Sequence, residues 1–353
     1  MRKISYHTIR AMKNSRNCSI DLLRILCCFL VVCIHTAPLY QSYTQLEVTE
    51  GQKYILLGLE SFVRVGMPVF FVISGMFILN KEVTSLYDFY KKRLTSIIIP
   101  FIVASLLHFS LKQYINNGDF SIKGYMLALV GTTSISDHFW FVYAIIGIYI
   151  VSPVFSFLVS SLDAQKASLT LKIVFAFILL SVYLSPFIKG MFLPEIGMWL
   201  LYFISGGLIT KLKIKTRVYT VGFVVGYLLT ILASYINNGH FLPIDLRQYD
   251  SGINMYIFAM CFAGIFWSIN MKINGVCAQF ITYLSSATYM IYLVHIAVQI
   301  IVFHFIPNYW YVGSVFTYTI SMSFVVMMVS FICSAVLNWA LVDRITRLAI
   351  KSL

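Results

Sequence analysis

The sequence predicts an all-α, polytopic integral membrane protein, and three observations carry that prediction. Of the 353 residues, 59% are hydrophobic and 11% are charged. Apolar runs long enough to cross a bilayer recur from one end of the chain to the other. Lysines and arginines gather in alternate loops between those runs. A soluble core has no room for so many long apolar segments.

The hydropathy rule gives about ten spans, near residues 20–40, 54–79, 96–115, 138–160, 170–187, 196–210, 218–235, 252–271, 279–303 and 312–342. The sixth is short and the tenth long. Stretch 125–131 is apolar but too short to cross, and reads as a re-entrant or interfacial piece. With these spans, one set of loops and tails collects Arg2, Lys3, Arg10, Lys13, Arg16, Lys81, Lys91, Lys92, Arg93, Lys166, Lys172, Lys211, Lys213, Lys215, Arg217, Lys272, Arg344, Arg347 and Lys351. The other set holds Lys53, Lys112, Lys123, Lys189 and Arg247. The positive-inside bias places the first set, and both termini, in the cytoplasm.

The net charge of +13 is spread over all those loops, which suits anionic lipid head groups rather than nucleic acid. The opening basic tail and apolar run do not read as a cleavable signal, because the run is long and carries Asp21, Arg24 and His35. Cys27, Cys28, Cys33, Cys261 and Cys333 fall in spans, with Cys18 and Cys277 near span ends. They read as small hydrophobes rather than disulfides or metal ligands, and no metal is expected. No repeat, linker or low-complexity segment divides the chain, so residues 1–353 read as one domain behind a short basic cytoplasmic tail, 1–19.

Function has to be sought in the polar residues inside the spans, because a charge at mid-membrane costs roughly 2.5 to 3.5 kcal/mol on insertion scales. The first span carries Asp21 and Arg24, then His35 eleven residues after the arginine. Eleven residues are close to three turns, so Arg24 and His35 share one face about 16 Å apart. Cys28 and Val31 lie between them, and side chains that small leave room for a narrow slot. The second span carries Glu60 and Arg64, spaced to neutralise one another and at a depth similar to His35. Pro68 frees the carbonyl of Arg64 and opens the helix there. On the ninth span Thr288, Tyr292, His295 and Gln299 form a stripe, with Ser285, Ser286 and Tyr289 beside it. On the fourth, His138, Trp140, Tyr143 and Tyr149 run inward, the first of these belonging equally well to an aromatic belt. His108 and His304 have no polar company and read as packing or interface residues.

Several of these stretches, in order along nearly the whole chain, resemble the membrane acyltransferase 3 family. Arg24, ten residues and His35 look like its arginine-x10-histidine signature. Arg64-Val-Gly-Met-Pro68 through Ser74-Gly75 resembles the second-span block, and Phe89-Tyr-Lys-Lys-Arg93 with Pro100 resembles the basic loop. His138-Phe-Trp140 with Tyr149 and Pro153 resembles the fourth-span block, and Ser286 through His295 the late one. The pattern around Pro68 is closest to the stand-alone O-acetyltransferases such as the enterobacterial common antigen enzyme. Glu60 matches no family position, and its role rests on depth. The resemblance implies a multi-pass protein of the bacterial plasma (inner) membrane that moves an acetyl group from cytoplasmic acetyl-CoA to a hydroxyl of an exported or lipid-linked cell-envelope glycan.

The residues suit that chemistry. A thioester and a hydroxyl need proximity, a base for the hydroxyl proton and donors for the developing oxyanion. His35 is the best base, because imidazole is available near neutral pH. Arg64 or a late-span tyrosine is the oxyanion donor, and Glu60 joins them as a catalytic candidate. Arg24, Lys91, Lys92 and Arg93 sit where coenzyme A phosphates would bind. Trp140, Tyr149, Tyr289, Tyr292 and His295 are candidate acceptor contacts. The outer loop 236–251, with His240, Asp245, Arg247, Tyr249 and Asp250, is either a further candidate glycan contact or simply a polar external loop. The competing function is a carrier, flippase or uptake module for a lipid-linked sugar or small solute, which would use the same buried charges as a pathway.

Overall fold

Apolar runs in a bilayer fold as helices because every backbone N–H and C=O must then be bonded within its own segment. The computed structural model describes residues 17–37, 49–131, 133–184, 196–242, 245–269, 271, 273–305 and 314–352. Among them are helices and no strands. The basic residues of the N-terminal tail, Lys189 and Lys272 lie outside the described residues, as do the expected ends of the first, fifth and tenth spans.

The helices in order are α1 (Cys18–Thr36), α2 (Glu50–Val63), α3 (Gly66–Ile78), α4 (Leu86–Arg93), α5 (Ile99–Ile115), α6 (Ile122–Leu129), α7 (Trp140–Ser160), α8 (Ala164–Ile178), α9 (Met198–Ile209), α10 (Thr216–Asn238), α11 (Ile253–Ile269), α12 (Gly275–Phe305), α13 (Val315–Leu337) and α14 (Asp343–Ser352). Wider π turns follow α4, α8 and α13, at Leu94–Ile98, Leu179–Leu184 and Asn338–Val342. Among the described residues, eight helical segments are long and apolar enough to cross a membrane. The expected sixth and eighth spans, α9 and α11, are apolar but shorter. At 1.5 Å per residue α9 covers about 18 Å of a hydrocarbon core of about 30 Å. The expected interfacial piece 125–131 is the short helix α6.

Three features reach beyond the apolar pattern. The polar segment before the third span is helical, because Ser85 caps α4 by accepting from the Asp88 N–H at 3.1 Å. The second span is broken at Arg64 and Val65, between α2 and α3, as Pro68 predicts. Pro153 is accommodated inside α7, where the carbonyl of Tyr149, which it would leave unbonded, accepts from Ser152 Oγ at 3.0 Å.

Helix α1 is central: it packs on α12, α3, α13, α11 and α2. Gly66 permits this, since a Cβ there would stand 2.9 Å from the Cys27 carbonyl oxygen. Helices α3 and α9 touch through backbone, a Cβ on Gly75 colliding with the Phe203 carbonyl and one on Gly206 with that of Val72. Hydrogen bonds join the basic loops at one end of the bundle. Lys211 Nζ donates to the carbonyls of Ser160 and Leu162, at 3.1 and 2.9 Å, and Ser156 Oγ donates to that of Lys81 at 2.5 Å. Lys112 Nζ reaches the Ser134 carbonyl, at 2.6 Å, at the opposite end. The alternation of charge along the chain has therefore become a separation between two ends.

Candidate active site

Helix α1 carries Arg24 near its first turns and His35 one residue before its end, and the two lie in different surroundings. At the basic end, Arg24 borders a cleft of about 520 Å³ between α1, α3, α4, α7 and the 79–85 turn. Its guanidinium lies 4.8 Å from the Phe77 ring centre and 3.5 Å from Asp21, which also accepts from Ser285 Oγ at 2.7 Å. Lys81, Lys92 and Arg93 line the same cleft, with Ser74 and Tyr149. The Arg93 guanidinium sits between the rings of Phe89 and Tyr149, at 4.6 and 5.0 Å. Its Nε is buried with no hydrogen-bond partner among the described residues. Lys91 does not line the cleft and turns instead over the Tyr87 ring, 5.4 Å away. Tyr149, expected at the acceptor, belongs to this cleft, its hydroxyl donating to Ser74 Oγ at 3.4 Å.

Between Arg24 and His35 the expected slot is filled. Cys28 and Val31 are both 1% exposed, and Cys28 Sγ contacts the Thr288 carbonyl at 3.6 Å. Small side chains on α1 let its neighbours approach rather than leaving a void.

At the other end of α1 four histidines from four segments converge. His35 is half-buried, and its ring centre lies 5.2 Å from that of His295 on α12 and 6.3 Å from that of His138. His138 lies 4.9 Å from His295 and 5.2 Å from His108 on α5. His108 is thus part of this centre and not a packing residue, and His138 is 2% exposed, so it belongs to no interfacial belt. His108 was not legible in the sequence, because it has no polar company on its own segment, and His138 was read there only as running inward beside Trp140 and Tyr143; the packing of α5 and of the turn before α7 against α12 joins the two. His304, by contrast, is exposed beside Phe305. Helix α12 supplies the carbonyls that hold the cluster. His108 Nε2 and His138 Nε2 both approach the Leu293 oxygen, at 2.9 and 3.3 Å, and His295 Nδ1 approaches that of Tyr292 at 2.5 Å. Gln299 Nε2 donates to the His35 carbonyl at 2.6 Å.

Arg64 stands at the break between α2 and α3, bonded through Nη2 to Glu60 at 3.0 Å and lying 4.7 Å over the Tyr249 ring. Arg64 Nε is buried without a partner among the described residues. In the 245–252 loop, burial and then the Glu60 carboxylate push the Tyr249 phenol up to about 12. That phenol is therefore un-ionised at neutral pH.

The late-span tyrosines are committed elsewhere. Tyr289 donates to the Ile97 carbonyl at 3.1 Å, and Tyr292 donates to that of His138. Trp140 stands one layer out, its ring tilted at 35° to that of Trp199 with centres 4.9 Å apart, and is 40% exposed. Of the outer-loop residues, Asp245 holds Asn237 Nδ2 at 2.9 Å and the Arg247 N–H at 2.7 Å, which shapes the loop itself.

Helix α1 thus links a cationic cleft to a half-buried imidazole centre. No curated protein and no solved structure matches the chain. The family model described as an acyltransferase domain matches residues 17–339, a stretch that contains the cleft, Arg64 and all four converging histidines. The chain is a membrane acyltransferase and belongs to the membrane acyltransferase 3 family.

Proposed function

We propose that the protein is an O-acetyltransferase that takes acetyl from cytoplasmic acetyl-CoA and passes it to a hydroxyl of an exported or lipid-linked cell-envelope glycan at the plasma membrane. The observation that carries this reading is that α1 bears Arg24 in a cationic cleft of about 520 Å³ and His35 in a separate, half-buried imidazole centre. The coenzyme A phosphates bind Arg24, Lys92 and Arg93, whose positive charges and free Arg93 Nε suit them. Lys91, turned away, serves positive-inside anchoring instead. The basic end faces the cytoplasm by the same bias.

At the other end His35 takes the proton of the acceptor hydroxyl, whose oxygen attacks the thioester carbonyl. The oxyanion that develops is met by Arg64, because the Tyr289 and Tyr292 hydroxyls already donate to backbone carbonyls while Arg64 Nε is unpartnered. Glu60 holds that guanidinium rather than acting as base. The intermediate collapses with loss of the coenzyme A thiolate, which recovers the proton from His35. Because Cys28 and Val31 fill the stripe between the two ends, the thioester reaches His35 only when the helices beside α1 part.

The experiment incubates the purified chain with labelled acetyl-CoA and envelope lipid extracts. Transfer of label to a glycan is expected, and His35→Ala should lower turnover per folded molecule by roughly 10² to 10⁴ while leaving detergent melting in place. Solute or lipid flux in vesicles without label transfer would establish the carrier instead. Near-normal turnover in His35→Ala would remove His35 as the base.

A further inference from the structure

His295 is fully buried, and its two ring nitrogens are not equivalent. Nδ1 faces the Tyr292 carbonyl at 2.5 Å, and since a carbonyl only accepts, Nδ1 carries the hydrogen. Nε2 of the neutral ring is then a lone-pair acceptor, and it is buried with no partner among the described residues. An orphan acceptor in the core is costly, which makes its intended donor worth identifying. Of the polar groups against it, Tyr292 has its only hydroxyl proton on the His138 carbonyl. His138 directs Nε2 at the Leu293 carbonyl, at 3.3 Å, and Nδ1 at Ser136 Oγ, at 2.8 Å. The remaining ring in contact is His35. Two imidazoles joined by a direct N–H···N bond of about 2.9 Å have centres about 5.1 Å apart, allowing roughly 1.1 Å from centre to nitrogen in each. The His35 and His295 centres are 5.2 Å apart, the separation that such a bond spans. One turn further along α12, Gln299 Nε2 already fixes the His35 backbone carbonyl at 2.6 Å.

We propose that His295 is the positioning residue for His35: its Nε2 accepts the N–H of the His35 ring, so that the other His35 nitrogen presents its lone pair to the acceptor hydroxyl. Resting on the reading of His35 as the base, this assigns α12 the task of holding both the backbone and the tautomer of that base. During transfer His35 becomes an imidazolium, and the bond to His295 strengthens as the charge develops. Orientation of a catalytic imidazole by a buried acceptor is the role of the aspartate in serine hydrolases, here performed by an uncharged ring.

The test uses the full chain in detergent or nanodiscs with labelled acetyl-CoA, and compares His295→Leu, which removes the acceptor, with His295→Gln, whose amide oxygen restores one. Expected for His295→Leu is a loss of about 10²-fold in kcat per folded molecule with donor KM unchanged, and for His295→Gln recovery to within about tenfold of the unaltered protein. Placed in a His35→Ala background, His295→Leu should cause no further loss, since it acts through His35 alone. Three results would each overturn the assignment: His295→Leu within about threefold of the unaltered protein, His295→Gln no better than His295→Leu, or a full additional loss in the His35→Ala background. Failure of the unaltered protein to transfer acetyl would instead overturn the acetyltransferase reading, and the assignment with it.

Discussion

Replacing Arg24 by alanine separates a donor-binding role from a structural one. If the guanidinium pairs with a coenzyme A phosphate, its removal deletes one charge-assisted contact, generally worth about 1.5 to 3 kcal/mol, or roughly 10- to 10²-fold in affinity. The Arg24 side chain is 27% exposed in the cleft, so water screens it and the lower part of that range applies. The loss should appear in the acetyl-CoA KM and leave kcat nearly unchanged, because the phosphates are remote from the reacting carbonyl and bind alike in ground and transition states. Arg24→Lys should fall between, keeping the charge and losing the two-pronged fork. Some loss of stability should accompany Arg24→Ala, because Asp21 is 2% exposed and loses the guanidinium 3.5 Å away while retaining Ser285 Oγ at 2.7 Å. The assay is initial rate against acetyl-CoA concentration, normalised to folded protein. The same donor KM in the alanine, lysine and unaltered proteins would refute the phosphate role and leave Arg24 as a partner of Asp21.

Two further outcomes test the scaffold. Gly75→Ala should lower the detergent melting temperature, by an overpacking cost of about 1 to 3 kcal/mol, because the new methyl meets the Phe203 carbonyl of α9, which is backbone and cannot rotate away. Gly147→Ala, with nothing within 4 Å in α7, should be neutral or slightly stabilising, and equal destabilisation by both would count against the α3–α9 contact. In the loop before α11, burial raises the Asp250 carboxyl above 3.8, and Arg64 only partly offsets this. Its ionisation therefore opposes folding, so the contribution is favourable below the ordinary aspartate range and is lost as pH rises through the raised folded value. Asp250→Asn, which tolerates the φ of 40° there, should raise stability at neutral pH with the gain vanishing in acid, and a gain independent of pH would refute the cause.

What the linear pattern made legible was whatever depends on near neighbours. The break at Arg64 follows from Pro68 four residues on, the Glu60–Arg64 pair from helical spacing, and the placement of Arg24 and His35 at opposite ends of α1 from three turns of helix. The helical course of 86–93 escaped because its polar residues carry no apolar period, while its cap at Ser85 is a local signal that does find it.

The sequence by itself determined an all-α membrane protein with its basic loops in alternation, because a bilayer demands apolar length and internal hydrogen bonding, and both are properties of consecutive residues. It also determined which residues are costly enough inside a membrane to need a function. Only the tertiary structure decided which of them meet. Arg93 faces the cleft and Lys91 does not, Tyr149 stands with Arg93 and Arg24, and Cys28 and Val31 close the stripe they were expected to open. His108, His138 and His295 come from helical segments far apart in the chain, and it is the crossing of those segments, not any spacing along one of them, that brings the His138 ring within about 5 Å of both His108 and His295 around the carbonyls of α12.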